Sequence, residues 1–123
     1  MKRCSMSDNQ SLTAAESKSI IDTANAMADA AREIILPHFR SNSLVAENKS
    51  LHSFDPVTEA DKDAEKVMIS ELKKRRPNDG VFGEEFGKIK GESLYRWVLD
   101  PIDGTRAFIA GAPTWGVLIS LEK

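Results

Sequence analysis

The sequence predicts an α+β domain in which helices pack on a sheet, and three patterns indicate this class. Two stretches, residues 13–35 and 58–76, carry apolar side chains at helical spacing. Three short apolar runs typical of buried strands follow at residues 81–82, 97–99 and 116–121. A chain of 123 residues is long enough for one modest core and too short to argue for two. We therefore expect a single domain built of mixed helix and strand layers.

Composition and charge fit a small globular protein and exclude several functional classes. The hydrophobic content of 41% is ordinary, and a net charge of −2 does not suggest a surface that binds nucleic acid. No run approaches about 18 apolar residues, so no membrane span is expected. Lys2-Arg3 is not followed by the apolar run of a signal peptide. The single cysteine, Cys4, allows no internal disulfide and fits a cytoplasmic protein.

The first element is predicted to be a helix that begins after Thr13. Thr13 and Glu16 have the spacing of a capping box. Residues 1–12 before them are polar and Ser-rich, which predicts a flexible tail and a domain over residues 13–123. Pro37 should end or kink the helix. The predicted buried stripe consists of Ile20, Ala24, Met27, Ala28, Ala31, Ile34 and Ile35.

A strand is predicted around Leu44-Val45-Ala46, and a second helix follows it. Thr58 is the predicted N-cap of this helix. The basic run at residues 73–76 looks like a nucleic-acid signal, but cations at a helix C-terminus explain it better. His38 and His52 are interpreted as capping or surface residues rather than ligands. The predicted buried stripe of the second helix consists of Ala60, Ala64, Val67, Met68 and Leu72.

The stretch over residues 97–105 is the most informative for function. Its apolar start is predicted to be a strand that stops at Asp100-Pro101, because proline has no N–H to give to a sheet ladder. Asp103 is the predicted N-cap of a short helix that has Thr105 in its first turn and a C-cap at Gly111. A helix N-terminus favours phosphate, but the two neighbouring carboxylates would repel it. A divalent cation between them resolves this conflict, and Mg²⁺ prefers oxygen ligands.

The same residue types also form ordinary turns, so an isolated Asp-Pro-x-Asp-Gly is ambiguous. A second acidic cluster, Gly83-Glu84-Glu85, follows the apolar pair Val81-Phe82 and favours a metal site. Two strand ends that each deliver carboxylates are the pattern expected when a cation is bound between neighbouring strands. Residues 87–93 after the second cluster are predicted to form a loop.

Three motifs together resemble a known family. They are Asp55-Pro-Val-Thr-Glu-Ala-Asp61, Gly83-Glu84-Glu85 and Trp97-Val-Leu-Asp-Pro-Ile-Asp-Gly-Thr105. In order and spacing they resemble the N-terminal motifs of the inositol monophosphatase family of Mg²⁺-dependent, lithium-sensitive phosphatases. The continuation from Arg106 to Gly116 looks more like the branch that hydrolyses histidinol phosphate than like the inositol phosphatases. The resemblance covers about residues 15 to 123, the N-terminal half of a typical member.

The resemblance implies a layered α/β sugar-phosphatase-type fold, with helices on an antiparallel sheet and the C-terminal lobe absent. It also implies two or three Mg²⁺ ions. Glu84, Asp100 and the backbone carbonyl of Ile102 would hold the first ion. Asp100 and Asp103 would share the second ion with an aspartate from the C-terminal half.

The resemblance further assigns catalytic and substrate-binding roles. Asp61 and Thr105, together with the metal ligand Glu84, would act in catalysis by positioning the attacking water. The N–H groups of Gly104 and Thr105 would bind the phosphate, and Arg106 would either read the substrate or pair with a surface carboxylate. Lys49 matches the basic residue of a mobile loop that the family folds over its metal site.

Two hypotheses from different classes follow. The first is a metal-dependent phosphomonoesterase that acts on a small phosphorylated metabolite. Histidinol phosphate is the favoured substrate, and inositol 1-phosphate is the main alternative. The second is a non-catalytic truncated product of such an enzyme. The feature that separates them is the acidic content after Asp103, where only Glu122 remains. No nucleic-acid or membrane partner is expected, and the full-length form is compatible with a homodimer.

Overall fold

The computed structural model describes residues 12–40 and 59–123. It confirms the predicted layered α+β architecture. The predicted strand around Val45, the cap at Thr58 and residues 1–11 of the predicted tail lie outside the described residues. The helices are α1 (Ala14–Ile35), α2 (Glu59–Arg75) and α3 (Thr105–Ala110), with a 3₁₀ turn at Leu36–His38. The strands are β1 (Gly80–Gly83), β2 (Gly87–Ile89), β3 (Arg96–Asp103) and β4 (Gly116–Glu122).

Helix α1 begins and ends as the sequence predicts. The N–H of Glu16 donates to Thr13 Oγ1 over 3.0 Å, and the N–H of Thr13 donates to Glu16 Oε1 over 3.2 Å, which completes the capping box. The helix stops at Ile35, where Pro37 starts the 3₁₀ turn. The predicted stripe is buried or half-buried and packs mainly against α2.

Helix α2 buries four of its five predicted apolar positions, while Val67 is half-buried. Its buried side also carries two carboxylates, Asp61 and Glu65. The last turn holds Lys73, Lys74 and Arg75, which confirms that the basic run belongs to a helix C-terminus.

The four strands form one sheet in the order β2-β1-β3-β4. Two of the three pairings are antiparallel, and the β1–β3 pairing is parallel, so this sheet is mixed where the resemblance implied an antiparallel one. Val81, Trp97 and Leu99 point from the sheet into the core that α1 and α2 cover. Within the described residues, no helix is long and apolar enough to span a membrane.

The structure corrects the predicted loop over residues 87–93, which contains strand β2. Gly87–Ile89 is a three-residue strand that pairs antiparallel with β1. A strand this short carries no alternation that a sequence pattern could reveal, and the neighbouring strand provides its hydrogen bonds.

A second correction concerns Pro101, which does not end β3. The strand continues to Asp103, and its register with β4 shifts between Asp100, opposite Leu118, and Asp103, opposite Gly116. Proline is tolerated there because a bulge interrupts the ladder and needs no N–H at that point.

A third correction concerns the start of α3. Gly104, not Asp103, is the N-cap, and no side-chain hydrogen bond caps this helix. Asp103 is still paired with β4, so the turn falls to Gly104, which has φ 86°. A Cβ at this position would also lie 2.9 Å from the carbonyl oxygen of Thr114. Only glycine fits this backbone without strain.

The body of α3 is anchored by an aromatic cluster of Phe39, Phe108 and Trp115. Their ring centroids are 5.0 to 5.4 Å apart. Arg40 lies over the Phe39 ring and donates to the carbonyl oxygen of Gly111 over 3.1 Å. These contacts join the residues that follow α1 to the second half of α3.

Candidate metal centre

The parallel pairing of β1 and β3 brings Glu84 and Asp100 together. Gly83 and Leu99 are register partners, so the residues that follow them leave the sheet at the same edge. The carboxyl groups of Glu84 and Asp100 are close enough to share a hydrogen bond. Two acidic side chains that are 16 positions apart in the sequence therefore share one end of the sheet.

Asp100 carries a carboxylate oxygen that has no hydrogen-bond partner among the described residues. Its Oδ1 atom is buried and accepts no hydrogen bond from any residue in the described ranges. Burial, the hydrogen bond and charge of Glu84, and the charge of Asp103 raise the pKa of Asp100 to about 6, although the N–H of Ile102 opposes this shift. A buried acceptor without a donor is costly, so this oxygen is suited to an additional ligand.

Asp61 faces the same region from the first turn of α2. Its side chain is almost fully buried, with 2% exposed. Burial, the largest cause, and the charges of Glu85, Asp100, Glu84 and Glu65 together raise its pKa to about 7. Ionising this group among four other carboxylates is unfavourable unless a cation compensates the charge.

The residues of this acidic region fit a divalent cation by their chemistry. Carboxylate oxygens are the ligands that Mg²⁺ prefers, and the unpartnered Oδ1 of Asp100 offers one directly. In the described part of the chain, no three acidic, histidine or cysteine side chains already surround one point. The donor set is therefore present, and cation binding would have to draw the side chains together.

The remaining predicted site residues lie around the start of α3. Asp103 is exposed, and its charge acts on Asp100. Ile102 is buried, and its carbonyl oxygen accepts a hydrogen bond from Thr105 Oγ1 over 3.1 Å. Arg106 is exposed in the first turn of α3. Lys49 lies outside the described residues.

The short length of α3 changes the basis for phosphate binding. The helix has six residues, too few for the macrodipole effect that the sequence pattern suggested. Any phosphate held here depends on individual N–H groups of the turn at Gly104 and Thr105.

Sequence reasoning missed Glu65, which is fully buried beside this region. Lys62, Asp63 and Lys66 surround it in the sequence, so it resembles an exposed helical charge. Its spacing was the available signal, because Asp61, Glu65, Met68 and Leu72 follow one helical face.

Known proteins match this chain over most of its length. The model of the inositol monophosphatase family matches residues 16–123. Histidinol-phosphatase from Streptomyces coelicolor is 44% identical over 100 residues, which cover 81% of this chain and 36% of that protein. Inositol-1-monophosphatase from Mesorhizobium japonicum is 46% identical over 70 residues, which cover 56% of this chain and 26% of that protein.

A solved structure gives the same result for the fold. The structure of an inositol monophosphatase from Zymomonas mobilis superimposes with a TM-score of 0.67 at 44% identity. The match covers 91% of this chain and 41% of that one. The chain thus spans well under half the length of these relatives.

Proposed function

The chain belongs to the inositol monophosphatase family, and we propose that it forms the metal-binding part of a Mg²⁺-dependent phosphatase acting on a small phosphate monoester. The observation that supports this most directly is that Glu84 and Asp100 meet at one end of the sheet, where a buried oxygen of Asp100 has no partner in the part of the chain that the structure describes. Crowded carboxylates beside the glycine turn that starts α3 would repel a phosphate ester. A divalent cation makes the two compatible.

The ligands we propose are those of the family resemblance. Glu84, Asp100 and the carbonyl of Ile102 would hold one ion, and Asp103 would join Asp100 at a second. When bound, such ions lower the pKa of a water and stabilise charge on the leaving oxygen. The carbonyl of Ile102 keeps a lone pair for this role although it accepts the Thr105 hydroxyl.

Thr105 and Asp61 are proposed to position the attacking water. The Thr105 hydroxyl donates a hydrogen bond to the carbonyl oxygen of Ile102. The lone pairs of Thr105 Oγ1 are therefore left to accept a hydrogen bond from that water. The Asp61 carboxyl faces the same acidic region and can accept a proton from the water. The turn N–H groups at Gly104 and Thr105 would bind the phosphate, with Arg106 near the rest of the substrate.

Histidinol phosphate is the substrate we propose first. The similarity to a histidinol-phosphatase supports it, because that match covers 81% of this chain. Inositol 1-phosphate is the second candidate, since an inositol monophosphatase matches 91% of the chain in structure. We also propose a cytoplasmic location, given the lone Cys4, and a homodimer for the full-length protein.

A chimaera tests this proposal. The matching 100-residue segment of the Streptomyces coelicolor histidinol-phosphatase would be replaced by the corresponding segment of this chain. We expect Mg²⁺-dependent hydrolysis with a higher kcat/KM for histidinol phosphate than for inositol 1-phosphate. Asp100→Asn should lower kcat/KM by orders of magnitude, while Asp29→Asn on the exposed face of α1 should not.

Two results would contradict the proposal. Activity that persists in EDTA would rule out the metal mechanism. A clear preference for inositol 1-phosphate would leave the mechanism intact and reverse the substrate assignment.

A further inference from the structure

Glu65 binds the backbone of the turn that follows β1, at Glu85 and Phe86. Its side chain is fully buried on α2, one turn beyond Asp61. The N–H of Glu85 lies 3.0 Å from Oε1 and 3.2 Å from Oε2 of Glu65, and the N–H of Phe86 lies 2.8 Å from Oε2. Both oxygens of one carboxylate therefore accept from two consecutive N–H groups of the turn.

Gly83 packs against the same carboxylate. A Cβ at this position would overlap Oε2 and Cδ of Glu65 and would lie 2.9 Å from Oε1. The backbone at the end of β1 thus lies directly against the carboxylate. Any side chain at residue 83 would have to displace it.

These contacts lie on both sides of Glu84 in the sequence. Gly83 before it and Glu85 after it both touch Glu65, so the backbone of Glu84 is fixed at each end. The Glu84 residue itself is exposed and reaches Asp100. The direction of the Glu84 side chain therefore depends on a carboxylate that is not itself at the surface.

A carboxylate at position 65 is electrostatically unfavourable. Glu65 adds negative charge to a region that already holds Asp61, Glu84, Glu85 and Asp100, and its charge contributes to the raised pKa of Asp61. An apolar side chain would fill the space without that charge but would leave the partly buried N–H groups of Glu85 and Phe86 without this acceptor. The carboxylate satisfies both donors at once.

We infer that Glu65 is a positioning residue whose carboxylate fixes the turn after β1 and so keeps Glu84 in place beside Asp100 for cation binding. The metal role of Glu84 in this inference rests on the proposed function. The contact between Glu65 and the turn stands independently on the hydrogen bonds and the packing of Gly83.

The first experiment measures the turn directly. Hydrogen exchange of the Glu85 and Phe86 amides would be followed by NMR in the 123-residue chain and in Glu65→Gln. The glutamine has one acceptor oxygen and an NH₂ group that opposes the backbone donors. We expect at least about tenfold faster exchange at these two amides relative to those of β3.

The second experiment measures cation affinity without catalysis. Binding of Mn²⁺ to the same chain would be followed by electron paramagnetic resonance. Glu65→Gln should weaken binding by about 10–100-fold, the range typical of residues that orient metal ligands. Glu71→Gln is the matched control, because Glu71 lies on the same helix and pairs with Lys74 and Arg75 away from the turn. It should change the affinity less than about twofold.

Gly83→Ala tests the same contact from the other side, since it displaces the carboxylate without removing it. Its effect on Mn²⁺ binding should have the same direction as that of Glu65→Gln, and the double variant should lose less than the sum of the two. This variant also carries the test if Glu65→Gln does not fold, which circular dichroism would reveal.

The possible outcomes distinguish the positioning role of Glu65 from the proposed metal centre. Unchanged exchange at Glu85 and Phe86 in Glu65→Gln overturns the inference. Faster exchange with unchanged Mn²⁺ affinity also overturns it, because Glu65 would then support the fold alone. A wild-type chain that binds no Mn²⁺ contradicts the proposed metal centre, and the exchange measurement then decides the Glu65 contact by itself.

Discussion

Asp61 and Asp100 are carboxyl groups for which ionisation is costly in the absence of a cation. Burial is the main cause at both residues, and neighbouring carboxylates raise their pKa values further, to about 7 and about 6. Between about pH 4 and pH 6, a folded chain without metal therefore keeps these two carboxyl groups protonated, whereas the unfolded chain has released both protons. Its free energy of unfolding should depend on pH in a way that identifies these residues.

Asp61→Asn should stabilise the metal-free chain at pH 8. The folded pKa of Asp61 lies above the ordinary value of 3.8, so its contribution to stability is complete at low pH and is lost as the pH rises from about 4 to about 7. Asparagine cannot ionise and escapes this loss, which we expect to be on the order of 2 kcal/mol. Urea unfolding in EDTA at pH 4 and pH 8 measures the difference. A variant that is less stable than wild type at pH 8 would contradict the prediction.

Gly104→Ala should destabilise the turn into α3 by about 1–3 kcal/mol. The backbone there has φ 86°, and an added Cβ would lie 2.9 Å from the Thr114 carbonyl oxygen. Gly116→Ala is the control, because a Cβ at Gly116 meets no described atom within 4 Å. Urea unfolding of both variants gives the comparison. Equal losses in the two variants would show that the conformation of Gly104 is not the cause.

At the scale of elements, a buried network around Asp79 ties the helices to the sheet. Asp79 accepts hydrogen bonds from Trp97 Nε1 over 2.9 Å, from Ser93 Oγ over 2.7 Å and from Arg76 Nε. Arg76 in turn donates to Ser19 Oγ of α1 over 3.0 Å. One carboxylate thereby connects the end of α2 and the start of β3 with α1, at the end of the sheet opposite to the one that carries Glu84 and Asp100.

Asp79→Asn should lower the free energy of unfolding by about 3 kcal/mol at pH 7, because it breaks a buried ion pair with Arg76. Burial opposes ionisation of Asp79, but hydrogen bonds from Arg76, Trp97 and Ser93 outweigh it and lower its pKa. This stability is present above the ordinary pKa and is lost as the pH falls through the folded pKa. The difference between wild type and variant should therefore shrink at pH 3. A difference of the same size at pH 7 and pH 3 would argue against the ion pair.

The elements that the sequence predicted correctly are those whose cause is local. The capping box at Thr13 and the stop at Pro37 depend on residues within one turn. Strand β2 and the bulge after Asp100 depend on a neighbouring strand, which a pattern along the chain does not contain. The same holds in the candidate site. The carboxylates at the strand ends were visible as Glu84 and Asp100, whereas the role of Glu65 depends on its contact with a turn about 20 residues away.

At the scale of the whole molecule, the described residues cover one face of the sheet and leave the other open. Phe82 is 40% exposed and Leu118 is 53% exposed, and the strand register puts both on the face opposite to the core. Strand β4 is an edge of the sheet in the described residues. Open apolar faces and edge strands favour association. Light scattering should therefore accompany any activity measurement on this chain.

The 123-residue chain alone should hydrolyse histidinol phosphate slower than the chimaera by orders of magnitude. After Asp103 the only acidic residue is Glu122, and its carboxylate pairs with Arg96 over 2.9 Å. No carboxylate in this part of the chain is thus left to complete a second ion site. Phosphate release with saturating Mg²⁺ is the measurement. Turnover of roughly 1–10³ s⁻¹ from a soluble monomer would contradict the prediction.

The bulge opposite Leu118 and Gly116 reverses the parity of β3. In a regular strand, side chains three positions apart point to opposite faces, so Asp103 would face the core if Asp100 faces outward. The extra residue switches the alternation, and the burial pattern follows it: Ile102 is buried and Asp103 is exposed. Asp100 and Asp103, although three positions apart, thereby lie on the same side of the sheet. Restoring a continuous ladder without changing the spacing would turn one of the two carboxylates into the core.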